Sequence, residues 1–272
     1  MSVDASLPIA VFDSGVGGLT VLHELLVSLP DEDFVYLGDD ARFPYGAKSH
    51  DELVGCVERN TRFLLDRGAK LVVVACNSAA TAGLGAAAEI AGERDVEVVS
   101  VVEPEAEIAA AISTSGRIGV LATAATVEGG AYLRALGAQH RNLTVIQVEA
   151  PDLAAIIQRG FPFSEAVVET ARSYCAPLRR AGVDTVILGC THYPLVAPLL
   201  QRILGRDVRL VTAGHAVAAT VQRVLEAGSL ATANDGEGTY SFICTGDPEA
   251  FHELGTRFLQ MPLGAVERVD LG

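Results

Sequence analysis

The chain is poor in lysine: of its 20 basic residues only Lys48 and Lys70 are lysines, the other 18 being arginines. A pyridoxal phosphate Schiff base needs an active-site lysine. Lys48 follows the loop Pro44-Tyr45-Gly46 and Lys70 opens a strand-like run, and neither has the surroundings of a cofactor lysine. No run of about 18 uninterrupted apolar residues is present, which argues against a membrane span. The start, Met1-Ser2-Val3-Asp4, lacks a basic stretch leading into an apolar core, so no secretory signal is read. The five cysteines (Cys56, Cys76, Cys175, Cys190, Cys244) are odd in number and include no C-x-x-C pair. That speaks against a disulfide framework or a zinc site, so no metal is expected, and for a reducing, cytoplasmic setting. Positive charge is outweighed too: the formal net charge is −14, a surface expected to repel nucleic acid and anionic lipid.

What is present fits an α/β protein. The 272 residues, half of them apolar, are enough for one large or two moderate domains with a real core. Short β-rich runs alternate with helical stretches, which predicts a mostly parallel sheet covered by helices. Strands are expected over 9–13, 34–38, 71–75, 96–101, 118–122, 143–148, 185–189 and 239–244. Helices are expected over 17–28, 49–67, 105–113, 129–136, 152–158, 164–180 and 215–225. Three more are expected: an alanine-rich one between the third and fourth strands, one after Pro194, and one opened by Asp247-Pro248. Ser49 and Glu52 fit a capping box. Asn234-Asp235-Gly236-Glu237-Gly238 reads as a polar surface loop.

An internal repeat is visible. Ile9-Ala10-Val11-Phe12-Asp13-Ser14 resembles Ile118-Gly119-Val120-Leu121-Ala122-Thr123 at an offset of 109 (from 9 to 118). Two apolar runs ending in cysteine, Val72-Val73-Val74-Ala75-Cys76-Asn77-Ser78 and Val186-Ile187-Leu188-Gly189-Cys190-Thr191-His192, recur at 114 (from 76 to 190). Near-equal offsets point to a duplicated unit, two lobes related by an approximate two-fold, and both thiols at one cleft.

In an open α/β sheet, ligands bind at the carboxyl ends of the strands. A strand-end cysteine is commonly a small buried hydrophobe, and that reading suffices for Cys56, Cys175 and Cys244. Cys76 and Cys190 are followed at once by hydrogen-bonding residues. Asn77-Ser78 and Thr191-His192 are placed at helix starts, where backbone N–H groups lower a thiol's pKa, and His192 adds a cationic partner or proton relay. Two schemes remain open: a two-base device using both thiols, or a thiol hydrolase partnered by His192 that leaves the second cysteine idle. The loop Asp13-Ser14-Gly15-Val16-Gly17-Gly18-Leu19-Thr20 is neither a dinucleotide fingerprint nor a Walker A loop. Its glycines read as a close-packing turn, whereas Asp13 at a strand tip can bind a substrate ammonium or orient an acid–base group.

Phe12-Asp13-Ser14-Gly15-Val16-Gly17-Gly18-Leu19-Thr20, Pro44-Tyr45-Gly46, Ala75-Cys76-Asn77-Ser78 and Gly189-Cys190-Thr191-His192-Tyr193-Pro194-Leu195 together resemble the glutamate racemases of the aspartate/glutamate racemase superfamily. The resemblance runs from Ile9 past Leu225, and Gly246-Asp247-Pro248-Glu249-Ala250-Phe251 is similar to some bacterial members. It implies two pseudo-symmetric α/β lobes, each a mostly parallel sheet flanked by helices, with the active site in the cleft between them. Residues 1–101 and 212–272 would form a discontinuous first lobe carrying Asp13 and Cys76, and residues 102–211 a second carrying Cys190 and His192. It further implies a cofactor-independent 1,1-proton transfer at the glutamate α-carbon. Cys76, supported by Asp13, would deprotonate D-glutamate, and Cys190, supported by His192, L-glutamate. Asp13, Ser14, Tyr45, Gly46, Asn77, Ser78, Thr191 and His192 match substrate-binding positions, with Thr123 and Thr126 as further carboxylate contacts. D-glutamate supply for peptidoglycan and cell shape, a small-molecule substrate as main partner, and a homodimer are expected. The alternatives are a related aspartate or hydantoin racemase, or a non-catalytic role toward a protein partner, as described for gyrase-inhibiting members. The sequence departs from the common pattern at four places: Asp40 for a Thr, Ser78 for a Thr, Gln158 for a Glu, and Thr212-Ala213-Gly214 for an Asp/Ser-containing turn.

Overall fold

The computed structural model describes residues 3–139, 141–159, 164–233 and 236–272, so Asn234 and Asp235 of the expected surface loop lie outside the described residues. The first half of the chain contains β1 (Ile9–Asp13), α1 (Leu19–Ser28), β2 (Phe34–Gly38), α2 (His50–Asp66), β3 (Leu71–Val74), α3 (Asn77–Gly92), β4 (Glu97–Ser100), α4 (Val102–Ile112), β5 (Arg117–Ala122), α5 (Ala124–Gly129) and α6 (Ala131–Gly137). There follow β6 (Thr144–Glu149), α7 (Leu153–Gln158), α8 (Glu165–Ala181), β7 (Thr185–Gly189), α9 (Ala197–Leu204), β8 (Arg209–Val211), α10 (Ala213–Gly228), β9 (Tyr240–Cys244), α11 (Pro248–Leu259) and β10 (Val266–Arg268).

The strands form two sheets, β10-β9-β2-β1-β3-β4 and β6-β5-β7-β8, with every pairing parallel. The inner strands β1, β3 and β7 are buried throughout. That burial is why they read as continuous apolar runs rather than alternating ones. Helices cover the sheets and pack on one another, α1 on α10 and α11, α2 on α3, and α4 on α6 and α10.

The repeat is visible in the register. Ile9 pairs with Leu71, and Ile118, 109 residues further on, pairs with Thr185, 114 further on. Each four-strand unit has the order second-first-third-fourth, so chain direction along the sheet reverses between β1 and β3 and again between β5 and β7. Those two reversals open crevices at the strand ends. Asp13 ends β1 and Cys76 lies two residues past β3; Thr123 follows β5 and Cys190 follows β7.

Local chemistry explains the boundaries. Ser49 accepts from the Glu52 backbone N–H, and Glu52 reaches back to the Ser49 N–H, closing the expected capping box. Asp247 accepts from the Glu249 N–H, with Pro248 at the first helical position. Three features differ from the expected pattern. The helix expected from Glu105 starts at Val102, because Pro104 falls in its first turn, where no backbone N–H is needed. The helix expected over 129–136 is two helices, α5 and α6, divided at Gly130 with φ +65°. Strands β8 and β10 have three residues each, too short to carry a period in the sequence.

Candidate active site

One cavity of about 30 Å³ touches both strand-end thiols, together with Ser14, Tyr45, Gly46, Asn77, Ser78, Thr123, Thr191 and His192. Both cysteines are buried, as are Cys56, Cys175 and Cys244, and all five are free. The three non-site cysteines thus sit where small hydrophobes are expected.

Asp13 is fully buried and, like Thr126, does not itself line the cavity; it reaches the site through Thr191, which does. The Asp13 carboxylate accepts from the Gly15 N–H (3.1 Å) and from the Thr191 hydroxyl (3.3 Å), the latter reaching over from the β7 side. Burial raises its pKa, opposed by backbone hydrogen bonds from Gly18 and Gly15 and the Thr191 hydroxyl. The glycines after it permit close approach. A Cβ on Gly18 would lie 2.5 Å from the Asp13 Cβ, and one on Gly17 would lie 2.3 Å from Thr191 Oγ1.

The expectation that helix starts lower the thiol pKa values is corrected by the structure. Burial pushes Cys76 up to about 12, with Asp13 adding to the rise, while the Ala79 backbone N–H lowers it less. Cys190 is also driven upward, by burial first and then by Cys76 and Asp13, against the His192 backbone N–H. Removing a thiolate from water costs more than a few oriented amides return. Asn77 does begin α3, but Thr191 and His192 precede only a short 3-10 turn at Tyr193–Val196. His192 is no cation either: burial pushes its pKa down to about 3. Its imidazole lies 5.4 Å from the Phe43 ring and edge-on to Phe258 at 5.0 Å, and its Nε2 meets Gln158 Oε1 at 2.8 Å. That ring nitrogen is therefore engaged by an amide rather than by a thiol.

Three hydroxyls meet at the same cavity, which Ser78 and Thr123 line. Ser78 Oγ is 2.8 Å from Thr123 Oγ1 and 3.2 Å from Thr126 Oγ1, and the two threonines are 3.0 Å apart. Each hydroxyl can donate, so the group suits an anionic oxygen. Gly46 closes on it, for a Cβ there would lie 2.6 Å from the Thr123 Cβ. The Tyr45 hydroxyl points elsewhere, donating to Asp39 and accepting from Asn60 Nδ2 at 3.2 Å. Tyr45 lines the cavity while its hydroxyl is taken up by these two partners.

Sequence reasoning missed the aromatic clamp of Phe43 and Phe258 and the buried Glu105. The signal for Glu105 was available: with Val102, Ala106 and Ala109 it falls on the buried stripe of α4, where a carboxylate is out of place. Asp40 is also explained. Its Oδ1 accepts from the Thr245 and Gly246 N–H groups, so it anchors the β9–α11 turn instead of facing the cavity. Lys70 is paired with Glu32 at 2.5 Å.

Two strand-end thiols border one cavity, with a buried carboxylate and a trio of hydroxyls close by, an arrangement of groups suited to acid–base chemistry of the racemase class. Residues 22–221 match the family model described as Asp/Glu/Hydantoin racemase, and the chain belongs to that family. Within it the chain is similar to glutamate racemases. It is 39% identical to the glutamate racemase of Geobacter metallireducens over 97% of this chain and 96% of that one. Among solved structures, glutamate racemase isoform RacE1 from Bacillus anthracis superimposes with a TM-score of 0.92 at 33% identity, covering 97% and 98% of the two chains. Glutamate racemase from Francisella tularensis, solved in complex with D-glutamate, gives 0.91 at 30% identity, covering 98% of each.

Proposed function

We propose that the protein is a cofactor-independent glutamate racemase that interconverts L- and D-glutamate by two-base proton transfer between Cys76 and Cys190. The observation that carries the reading is the delivery of both thiols, from equivalent positions of two repeated units, to one cavity. In the D-to-L direction, the Cys76 thiolate takes the α-proton and becomes a thiol. The Cys190 thiol gives its proton to the opposite face of the carbanion and becomes a thiolate. One C–H bond breaks and one forms, and the pair of cysteines ends with thiol and thiolate exchanged. The reverse direction starts from the opposite state.

Burial keeps both thiols protonated in the free protein, so ionising one requires a cation close by. The substrate's α-ammonium, drawn to Asp13, supplies it. The Ser78, Thr123 and Thr126 hydroxyls receive a carboxylate, and the narrowness of the cavity leaves little room for water beside the carbanion. Neutral His192 supports Cys190 through the chain they share rather than as a cation. Two lobes, residues 1–101 with 212–272 and residues 102–211, form the halves of the cleft. Supply of D-glutamate for peptidoglycan, a cytoplasmic location and a homodimer belong to the same proposal. Among the described residues, no helix is long and apolar enough to cross a membrane.

The test is incubation of the protein with each enantiomer of glutamate in deuterated water, following optical rotation and loss of Cα–H. Wild type is expected to racemise both, and Cys76→Ala and Cys190→Ala to abolish racemisation. Activity on aspartate but not glutamate, or full activity after loss of either thiol, overturns the proposal.

A further inference from the structure

Behind the thiols lies a buried polar triad that the proposed chemistry does not use. Glu105 on α4 is fully buried, and its Oε2 accepts from the Tyr132 hydroxyl and from Asn77 Nδ2 at 3.1 Å. Asn77 Nδ2 also donates to the Tyr132 hydroxyl oxygen at 2.7 Å. One N–H bond of the Asn77 amide is thereby shared between the two adjoining triad oxygens, which fixes the orientation of the amide. Its Oδ1 is buried and has no hydrogen-bond partner among the described residues, although Asn77 lines the cavity that holds Cys76 and Cys190. A buried amide carbonyl without a partner is costly, and native structures seldom leave one so without a use.

We infer that Glu105 is a positioning residue that holds the Asn77 amide with its carbonyl free for the cleft, as an acceptor for the substrate's α-ammonium. This rests on the racemase reading above and adds a determinant of substrate orientation to it. The orientation depends on the acceptor at Oε2. Protonated or ionised, Glu105 presents Oε2 as an acceptor, since any proton sits on the unpartnered Oε1. Without that acceptor, the Tyr132 hydroxyl turns its proton toward Asn77. The amide then rotates to receive it and presents N–H groups to the cleft, where they repel an ammonium.

The experiment compares steady-state constants and Tm for wild type, Glu105→Gln, Glu105→Leu and Asn77→Ala, and for the Glu105→Leu/Asn77→Ala double variant. Glu105→Gln keeps a carbonyl acceptor with an N–H in place of the other oxygen, and is expected to stay within about threefold of wild type in KM. Glu105→Leu is expected to raise KM for both enantiomers about tenfold or more, which is about 1.4 kcal/mol. In the Asn77→Ala background the same change is expected to add nothing to KM. Where Glu105→Leu fails to fold, Glu105→Asp, which withdraws the acceptor by one methylene, is read the same way. A KM unchanged in both Glu105→Leu and Glu105→Asp, or a KM rise that persists undiminished in the Asn77→Ala background, overturns the inference. Wild type that does not racemise glutamate refutes the racemase reading instead, so the two failures are distinct.

Discussion

Replacing Gly17 with alanine tests whether close approach of the two halves of the site is required. The added Cβ would lie 2.3 Å from Thr191 Oγ1, 2.5 Å from His192 Nδ1 and 2.6 Å from His192 Cε1. None of these neighbours is free to yield. Thr191 is bound to Asp13, and the His192 ring lies against Phe43 and Phe258 with its Nε2 on Gln158. Overpacking of this kind costs about 1–3 kcal/mol, and the chain can relieve it only by drawing the β7 side of the site away from the β1 loop. If about 2 kcal/mol is charged against the closed arrangement and only that arrangement reacts, kcat/KM falls about 30-fold. The fold itself can escape by opening, so Tm is expected to fall by less than about 6 °C. Gly85→Ala is the control: it lies in α3 with nothing within 4 Å of the added Cβ. There the helix gains about 0.5–1 kcal/mol and activity is unchanged. Racemisation kinetics and calorimetric melting of both variants are the assay. A Gly17→Ala protein with wild-type kcat/KM refutes the reasoning, as does one that loses stability without losing activity.

Three further outcomes follow from buried groups. Lys70→Met leaves Glu32 buried beside an apolar chain, where its partners had been Lys70 Nζ at 2.5 Å and the Thr232 N–H at 2.8 Å; a loss of about 3–5 kcal/mol in denaturant unfolding is expected, and less than about 1 kcal/mol counts against it. Burial raises Glu105 from 4.5 to about 8, so the native state holds an extra proton between those values. That group's stabilisation is complete below about pH 4.5 and is lost as pH rises through 8, up to about 5 kcal/mol in all; Glu105→Gln is therefore expected to flatten the fall in Tm across this window, and an unchanged slope refutes it. Ser78→Ala removes one hydroxyl from the trio with Thr123 and Thr126. KM for glutamate is expected to rise about tenfold with kcat little changed, and an equal fall in kcat at constant KM would place Ser78 in the chemical step instead.

Elements whose side chains satisfy one dominant constraint were legible from the sequence. The strand over 9–13, the strand over 185–189 and the capped start of α2 coincide with the expected residues, because uniform burial and a capping box leave local marks. The convergence of Cys76 and Cys190 was legible through the repeat. What the sequence hid were contacts between distant segments. Phe43 and Phe258 meet across His192 from opposite ends of the chain, and Gln158 reaches the same ring from a third segment. Thiol acidity was misread for a related reason: helix starts are local and visible, but depth of burial is a property of the whole fold, and here it prevails.

The repeat is most informative where it breaks. Strand register carries Cys76 onto Cys190 and Phe12 onto Leu121, so backbone symmetry alone would give the two thiols identical neighbours. Yet Ala122 stands at the position equivalent to Asp13, and His192 at the position equivalent to Ser78. A substrate whose two enantiomers differ only at the α-carbon asks for mirrored acid–base groups. Its ammonium and carboxylates still need one fixed set of partners, shared by both enantiomers. On the proposed mechanism, symmetric strands meet the first demand, and asymmetric residues at and just beyond the strand ends meet the second. Exchanging those residues to restore symmetry, by Ala122→Asp with His192→Ser, would therefore keep both thiols in place while dividing the ammonium between two carboxylates. In the proposed mechanism, the two-fold of the fold serves the proton transfer, and its violation serves binding.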